Sequence, residues 1–539
     1  MGIKVIEFSR EAREAMLEGV RQLAHAVRVT LGPGGHHVAL EKKFGPPLVT
    51  RDGVTVAREI ELPNKTQNAA ATLLREVAVK TGEKAGDGTT TATLLAEAIF
   101  AGALRNVEAG LNPIPLARGI SRAVEATVQE LGKMARPASG LEDLQRVATI
   151  AAGNDPEIGK IVAQAIDQVG KDGAVTVEEA KGIETKIERI EGMQFDKGYL
   201  SPHFMNRPDR LQCVLDKPYI LVHEKKISNV KDLVPLLEKV APTKRPLLVI
   251  SDDLEGEALA VLVVNRLEGA LQSCAVKAPG YGDRRKEMLE DIAIFTGGRP
   301  LLEDIGITLE DVELKDLGTA RQVIIEKELT TIIEGAGTDK AVMGRLEQIK
   351  KAISMTTSDY DREKLQERLG KLSGGVAQIN VGAATEVEMK EKRARIEDAL
   401  HAARAALEEG VVPGGGVALL RARRAVDGLR LSEEEKIGAR VVREALAQPL
   451  RQIADNAGAQ GTVVVRKVDE SKEDAFGYDA ARGEYTDMVK AGILDPRKVV
   501  RLALQNAASM ATLFLTTEAV ITEKEDPKPS APPGGAPEM

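Results

Sequence analysis

The sequence predicts a multidomain protein: a mostly α-helical domain assembled from both ends of the chain, with an α/β module inserted between them. Three observations lead there. The chain is 539 residues long, enough for roughly three to four domains. Glycine-punctuated helical patterns with nucleotide-site features occupy 30–91 and return at 398–495. Between them the pattern changes to short apolar runs alternating with helical stretches, the rhythm of a parallel sheet.

A first helix is expected over 9–31, because Met16, Val20, Leu23, Val27 and Leu31 recur at spacings of four and three. Gly32-Pro33 ends it, with glycine at the C-cap and then a residue that cannot continue a helix. Residues 37–41 and 47–50 read as a hairpin around Phe44-Gly45-Pro46, and Asp52-Gly53 turns the chain again. Helices follow over 66–84, 90–108 and 112–133. In the middle, 219–222, 247–250 and 274–276 are strand-like, with helices over 229–241 and 255–268 between them. No GxGxxG follows these strands, so a dinucleotide site is disfavoured, and Gly280-Tyr281-Gly282 reads as a turn. Gly192, Gly374 and Gly375 are candidate hinges, although a glycine pair also makes an ordinary turn. After about 376 the pattern is mostly helical again, and Gly414-Gly415-Gly416 stand directly before Val417-Ala418-Leu419-Leu420. Asp495-Pro496 is expected to open the last helix as an N-cap and N1 pair. From Glu523 the chain has five prolines and is expected to be a disordered tail, 523–539.

Composition bounds the function. Hydrophobic residues make up 43% and charged residues 29%, as in soluble globular proteins. Aromatics are only 3% and Trp is absent, so the cores must be aliphatic and no base-stacking platform is expected. A net charge of -8 argues against nucleic-acid or anionic-membrane partners. Cys213 and Cys274 stand alone, which fits a reducing cytoplasm and neither a disulfide framework nor a zinc site. No histidine belongs to an HExxH motif, and the N-terminus lacks a signal-peptide apolar core. No apolar run is expected to reach the ~20 residues of a membrane span.

The most informative stretch is Gly86-Asp87-Gly88-Thr89-Thr90-Thr91-Ala92-Thr93. Two glycines permit close backbone approach and positive φ. Three threonines then open a helical run, so N–H groups, hydroxyls and the positive end of a helix dipole converge as a phosphate cradle. A bare Asp87 carboxylate would repel phosphate, but a magnesium ion bridging the two removes the conflict. The segment is not a Walker loop, since no Gly-Lys-Ser/Thr follows the glycines. A helix start capped by Asp87 would give the same pattern. Asp398 has Ala394 and Ala402 one turn away on either side, leaving space beside its carboxylate, as an exposed aspartate also would.

Taken in order, these segments resemble the bacterial group I chaperonins, the GroEL family. The likeness reaches nearly the whole chain to about residue 522. Besides the cradle it rests on Thr30-Leu31-Gly32-Pro33, Asp52-Gly53-Val54, Glu191-Gly192-Met193-Gln194-Phe195-Asp196 and the run from Ala278 through Gly280-Tyr281-Gly282 to Lys286. Further on come Ala383-Ala384-Thr385-Glu386-Val387-Glu388 and the run from Glu408 through Pro413 to Gly416. The resemblance implies a mostly helical equatorial ATPase domain from 1–133 and 409–522 and a small α/β intermediate domain from 134–190 and 377–408. It implies an α/β apical domain over 191–376. It further implies seven-subunit rings, two of them stacked, a GroES-type lid, and unfolded or partly folded proteins as clients. ATP and Mg2+ would be the cofactors.

By that resemblance Thr30, Leu31, Gly32, Pro33 and Arg51 border the nucleotide. Asp87 holds magnesium, and Gly88, Thr89, Thr90 and Thr91 hold phosphates. Asp398 activates water with Asp52 nearby, while Gly414, Gly415, Asp479, Ala480 and Asp495 line the base and ribose pocket. The run from Ala258 to Val264 is apolar around a full helical turn, which by itself suits burial on all sides. The resemblance instead assigns Leu259, Val263 and Val264, with Val234, Leu237, Tyr199, His203 and Phe204, to a client- and lid-binding groove. The chain departs from the family pattern at Arg51 (usually lysine), Gly34 (usually basic), Asp479 (often asparagine), His203 (usually tyrosine) and Val234 (usually leucine). Its tail lacks Gly-Gly-Met repeats. Two other classes use the same features: a small-substrate phosphotransferase, for which no acceptor base is visible, and a non-hydrolysing interaction paralogue, which the Asp52, Asp87 and Asp398 set disfavours.

Overall fold

The computed structural model describes residues 4–41, 47–170, 173–180, 182–208, 210–303, 308–356, 358–373 and 375–523. The expected hairpin tip Phe44-Gly45-Pro46, the candidate hinge Gly374 and the tail beyond Glu523 lie outside the described residues. The chain forms two compact units, 1–160 with 397–539, and 161–396.

The first unit joins the two ends of the chain in one antiparallel pair, Lys4–Phe8 with Ala519–Glu523, Lys4 opposite Glu523. Its core is aliphatic, as an aromatic-poor composition requires. Ser9–Arg28, Lys65–Ala85, Thr89–Glu108, Pro113–Met134, Glu433–Ala445 and Arg497–Thr516 pack around it. Phe100 and Phe514 make an aromatic contact in this core, with centroids 5.1 Å apart; burying each ring stabilises by roughly 1.5–3 kcal/mol. Arg497–Thr516 is long and apolar enough to cross a membrane, contrary to the expectation of no such run, but most of its apolar window is buried in this core.

Three local expectations are corrected. The first helix stops at Arg28, and Thr30 to Gly35 form a turn closed by Thr30 N–H to Val27 O and Gly35 N–H to Gly32 O. Asp52 does more than turn the chain: its carboxylate accepts from Val54 N and Thr55 N, capping a short helix, Gly53–Glu59. Asp495 is not an N-cap. It lies in the strand Leu494–Pro496, opposite Val412, and Pro496 itself is the N-cap of the following helix. A local Asp-Pro signal lost to a long-range strand pairing.

The second unit contains the expected parallel strands Tyr219–Val222, Leu247–Ser251 and Ser273–Lys277, linked by helices Val230–Val240 and Gly256–Leu267. The sheet then continues antiparallel through Gly318–Ile325, Thr330–Gly335 and Gly192–Phe195, with Cys213–Asp216 also on Gly318–Ile325. The hairpin of Gly318–Ile325 and Thr330–Gly335 escaped the sequence reading because much of it is buried on both faces, leaving no polar alternation. A separate small sheet sets Ala174–Glu179 parallel and Lys186–Ile190 antiparallel to Val376–Val381. Gly192 is no loop hinge: it is a buried strand residue, and a Cβ there would lie 2.1 Å from Val376 Cγ2. A helical majority with mixed sheets is the fold class the sequence predicts.

Candidate functional site

The cradle forms where two helices of the first unit meet. Lys65–Ala85 ends on Gly86 at φ 73°, and Thr89–Glu108 begins after Gly88 at φ 79°. Both angles are left-handed, where a side chain is strained. Space forbids one as well: a Cβ on Gly88 would fall 2.7 Å from Val499 Cγ1. Asp87 sits between the glycines and precedes the helix, so the alternative of an Asp87 cap is excluded; the N-cap is Gly88. The Asp87 carboxylate accepts the Gly88 N–H.

Two further segments close on the same point. Thr30 Oγ1 lies 3.4 Å from Thr90 Oγ1, and both residues are buried. Gly53 is so near that a Cβ there would lie 2.1 Å from Thr90 Oγ1. This brings the Asp52 corner against the threonines. Arg51 Nη2 donates to Gly32 O and Pro33 O, each at 3.3 Å, holding the 30–33 turn. Asn456 braces the same turn from behind, its amide donating to Arg28 O and Leu31 O at 2.9 Å each. No sequence signal pointed to Asn456.

The helix Glu386–Glu409 supplies Asp398 and, three residues on, His401. Residues at that spacing share a helix face, a signal that could have found His401. Its ring packs on Gly86, where a Cβ would overlap it. Burial pushes Asp398 well above the usual carboxylate range, and Asp52, Asp87 and Glu397 add like charge. Burial also raises Asp87, reinforced by Asp52 and opposed by the Gly88 N–H and by His401. Asp495 is lifted to about 7 by burial and by Asp87, against the bond it accepts from Gly415 N–H. Carboxylates crowded this way are electrostatically unsatisfied and suit a cation. Among the described residues no three His, Cys, Asp or Glu form a ready metal cage, so a magnesium ion here would draw on Asp87, phosphate and water.

Gly414 and Gly415 lie beside Asp495: a Cβ on Gly414 would be 2.9 Å from Asp495 Oδ1. Asp479 closes its own turn. It is buried, and its Oδ1 accepts from Ala481 N and Arg482 N. Ala480 packs on the cluster containing Met488, whose methyl reaches Gly415.

In the second unit the expected groove is partly corrected. Phe204 is fully buried and Leu237 nearly so, so neither presents a surface. Tyr199, Leu259 and Val263 are partly buried against the core, and His203 is exposed. On the Gly256–Leu267 helix Ala258 and Leu262 face inward, while Val264 is 48% exposed and Leu267 65%. Val234 is also exposed. Leu267 was missed, although it follows Val264 by three residues.

Among solved structures, the chaperonin gp146 from bacteriophage EL 2 (Pseudomonas aeruginosa), crystallised in the presence of ATP-BeFx, is similar in fold. The TM-score is 0.72 at 21% sequence identity, covering 97% of this chain and 100% of that one. The fold is thus a chaperonin fold. The model of the TCP-1/cpn60 chaperonin family matches residues 23–525, and the chain belongs to that family.

Proposed function

We propose that this protein is an ATP-hydrolysing chaperonin of the group I, GroEL-like type. Its units would assemble in rings, seven to a ring and two rings stacked, and capture non-native proteins before a GroES-type lid encloses them. The observation that carries the reading is the gathering of Asp52, Asp87 and Asp398 at a two-glycine, three-threonine helix start. Phosphoryl transfer needs positioning, charge neutralisation and a group that orients water, and these residues supply that set. Thr89, Thr90 and Thr91 bind phosphate oxygens through N–H groups and hydroxyls. Mg2+ at Asp87 would neutralise phosphate charge and lower the proton affinity of the surrounding carboxylates. Asp398 then orients the attacking water, with Asp52 beside it. Thr30 to Pro33, held by Arg51 and Asn456, border the nucleotide, and Gly414, Gly415, Ala480 and Asp495 line its base and ribose.

Client capture falls to Val234, Val264 and Leu267, whose exposure on one unit is what apolar segments of unfolded chains would cover. The division into equatorial, intermediate and apical domains is supported by the small separate sheet of 174–190 and 376–381. Two buried free thiols, Cys213 and Cys274, suit the cytoplasm. The test is steady-state ATPase without any small acceptor, together with native mass with and without ATP. Acceptor-independent hydrolysis by a ring-sized particle is expected. A phosphotransferase would need an acceptor, and a non-hydrolysing paralogue would show no turnover.

A further inference from the structure

A cavity in the first unit, about 570 Å³, shares no residue with the Gly86–Thr93 segment or the Thr30–Pro33 turn. Its wall carries Arg21, Arg28, Arg105 and Arg451 together with His25. The carboxylates in the wall are Glu97, Glu444 and Asp455, so arginines outnumber them in a chain that is net acidic. Arg21, His25 and Arg28 all act on the recessed Glu97 carboxylate. Even so, among the described residues no ion pair joins Arg21, Arg28 or Arg105 to a carboxylate. Arg451 has only a loose partner, Asp455 at 3.7 Å. Arg105 Nε donates to the backbone Ala101 O at 3.3 Å, and guanidinium forks without close carboxylate partners around a concave space match multidentate oxyanions such as phosphates.

The wall is built from the cradle's own supports. His25 and Arg28 lie on the helix that leads directly into the Thr30 to Pro33 turn. Glu97 and Arg105 lie on the helix that Thr89 to Thr91 open. Arg451 lies on Gln448–Asn456, whose last residue holds the carbonyls of Arg28 and Leu31. An anion drawing these arginines together would fix three helices that also set the cradle's shape.

We infer that this cavity is a regulatory site for a small multivalent anion of the polyphosphate or phosphate-ester class, coupled to the nucleotide site through the three helices. The coupling rests on the nucleotide reading above; the binding does not. The assembled protein, saturated with Mg-ADP and with magnesium in excess, is titrated calorimetrically with tripolyphosphate, and in a parallel arm with citrate. Saturable, salt-sensitive binding of tripolyphosphate, tighter than citrate, is expected. Arg21→Gln with Arg105→Gln should weaken it about tenfold or more, two charge-assisted contacts being lost, while ADP affinity is retained. In the parent, tripolyphosphate should also shift the ATP concentration for half-maximal turnover, and the double variant should lose that shift. Equal citrate binding overturns the phosphate class. Absence of binding to the ADP-filled particle, including through cover by a second copy of the chain, overturns the site. So does binding unaltered in the double variant. If ADP itself fails to bind, the nucleotide reading falls, and tripolyphosphate binding to the parent, compared with the double variant, still decides the anion site.

Discussion

Gly86 lies directly against His401: a Cβ on Gly86 would fall 1.9 Å from His401 Cβ. The contact ties the Gly86–Gly88 turn to the helix that carries Asp398. It also explains the glycine twice over, since its φ of 73° is left-handed. Gly86→Ala should therefore displace the cradle from that helix. A left-handed alanine alone costs about 1–2 kcal/mol, and the overlap adds to it. The expected outcome is Mg-ATP affinity reduced about tenfold or more by calorimetry, the equivalent of about 1.4 kcal/mol. Unchanged affinity would show that the cradle does not depend on this contact.

Asp398 and Asp87 should separate binding from chemistry. Asp398→Ala is expected to keep ATP binding and lose roughly a hundred- to ten-thousandfold in turnover, the range for one general-base-type group. Asp87→Ala should instead weaken Mg-ATP binding itself. Parental hydrolysis in the Asp398 variant would remove it from the mechanism.

The pH dependence has a definite sign. Asp495 is raised from 3.8 to about 7, so between those values the unliganded folded state holds a proton that the unfolded chain releases. Its contribution to stability therefore falls as pH rises from about 4 to about 7 and stays lost above that. Asp495→Asn should gain thermal stability relative to the parent across this window, with the difference largest near pH 8. A difference that is flat with pH would contradict the burial of this carboxylate. Because Asp87 is also raised, Mg-ATP affinity should weaken as pH falls, since the ion needs the ionised form.

The apolar face of Gly256–Leu267 can be tested without unfolding it. Val263 packs partly on the core, so Val264 and Leu267 are the cleaner probes. Val264→Ser should change stability by no more than about 0.5 kcal/mol and reduce suppression of client aggregation. Leu262→Ser, at a fully buried position, should cost at least about 1–3 kcal/mol from the unpaired hydroxyl alone. Lower melting in Val264→Ser with unaltered client capture would mean the exposed face is not the capture surface.

The sequence alone determined what local physics controls. Helices at 65–85, 89–108 and 113–134 came within a residue or so of their predicted ends, because caps and periodicity are written locally. The two-glycine, three-threonine run announced its left-handed turn and helix start because φ and helix-start chemistry need only adjacent residues. Tertiary structure decided the rest, where partners distant in sequence competed with local signals. Asp495 became a strand residue through Val412, hundreds of bonds from its own helix. Leu262 went into the core while Val264 stayed outside it, since an all-round apolar pattern does not encode which side meets a neighbour. Asn456 joined the site only because folding brought its helix to Leu31, and no spacing along the chain records such a meeting.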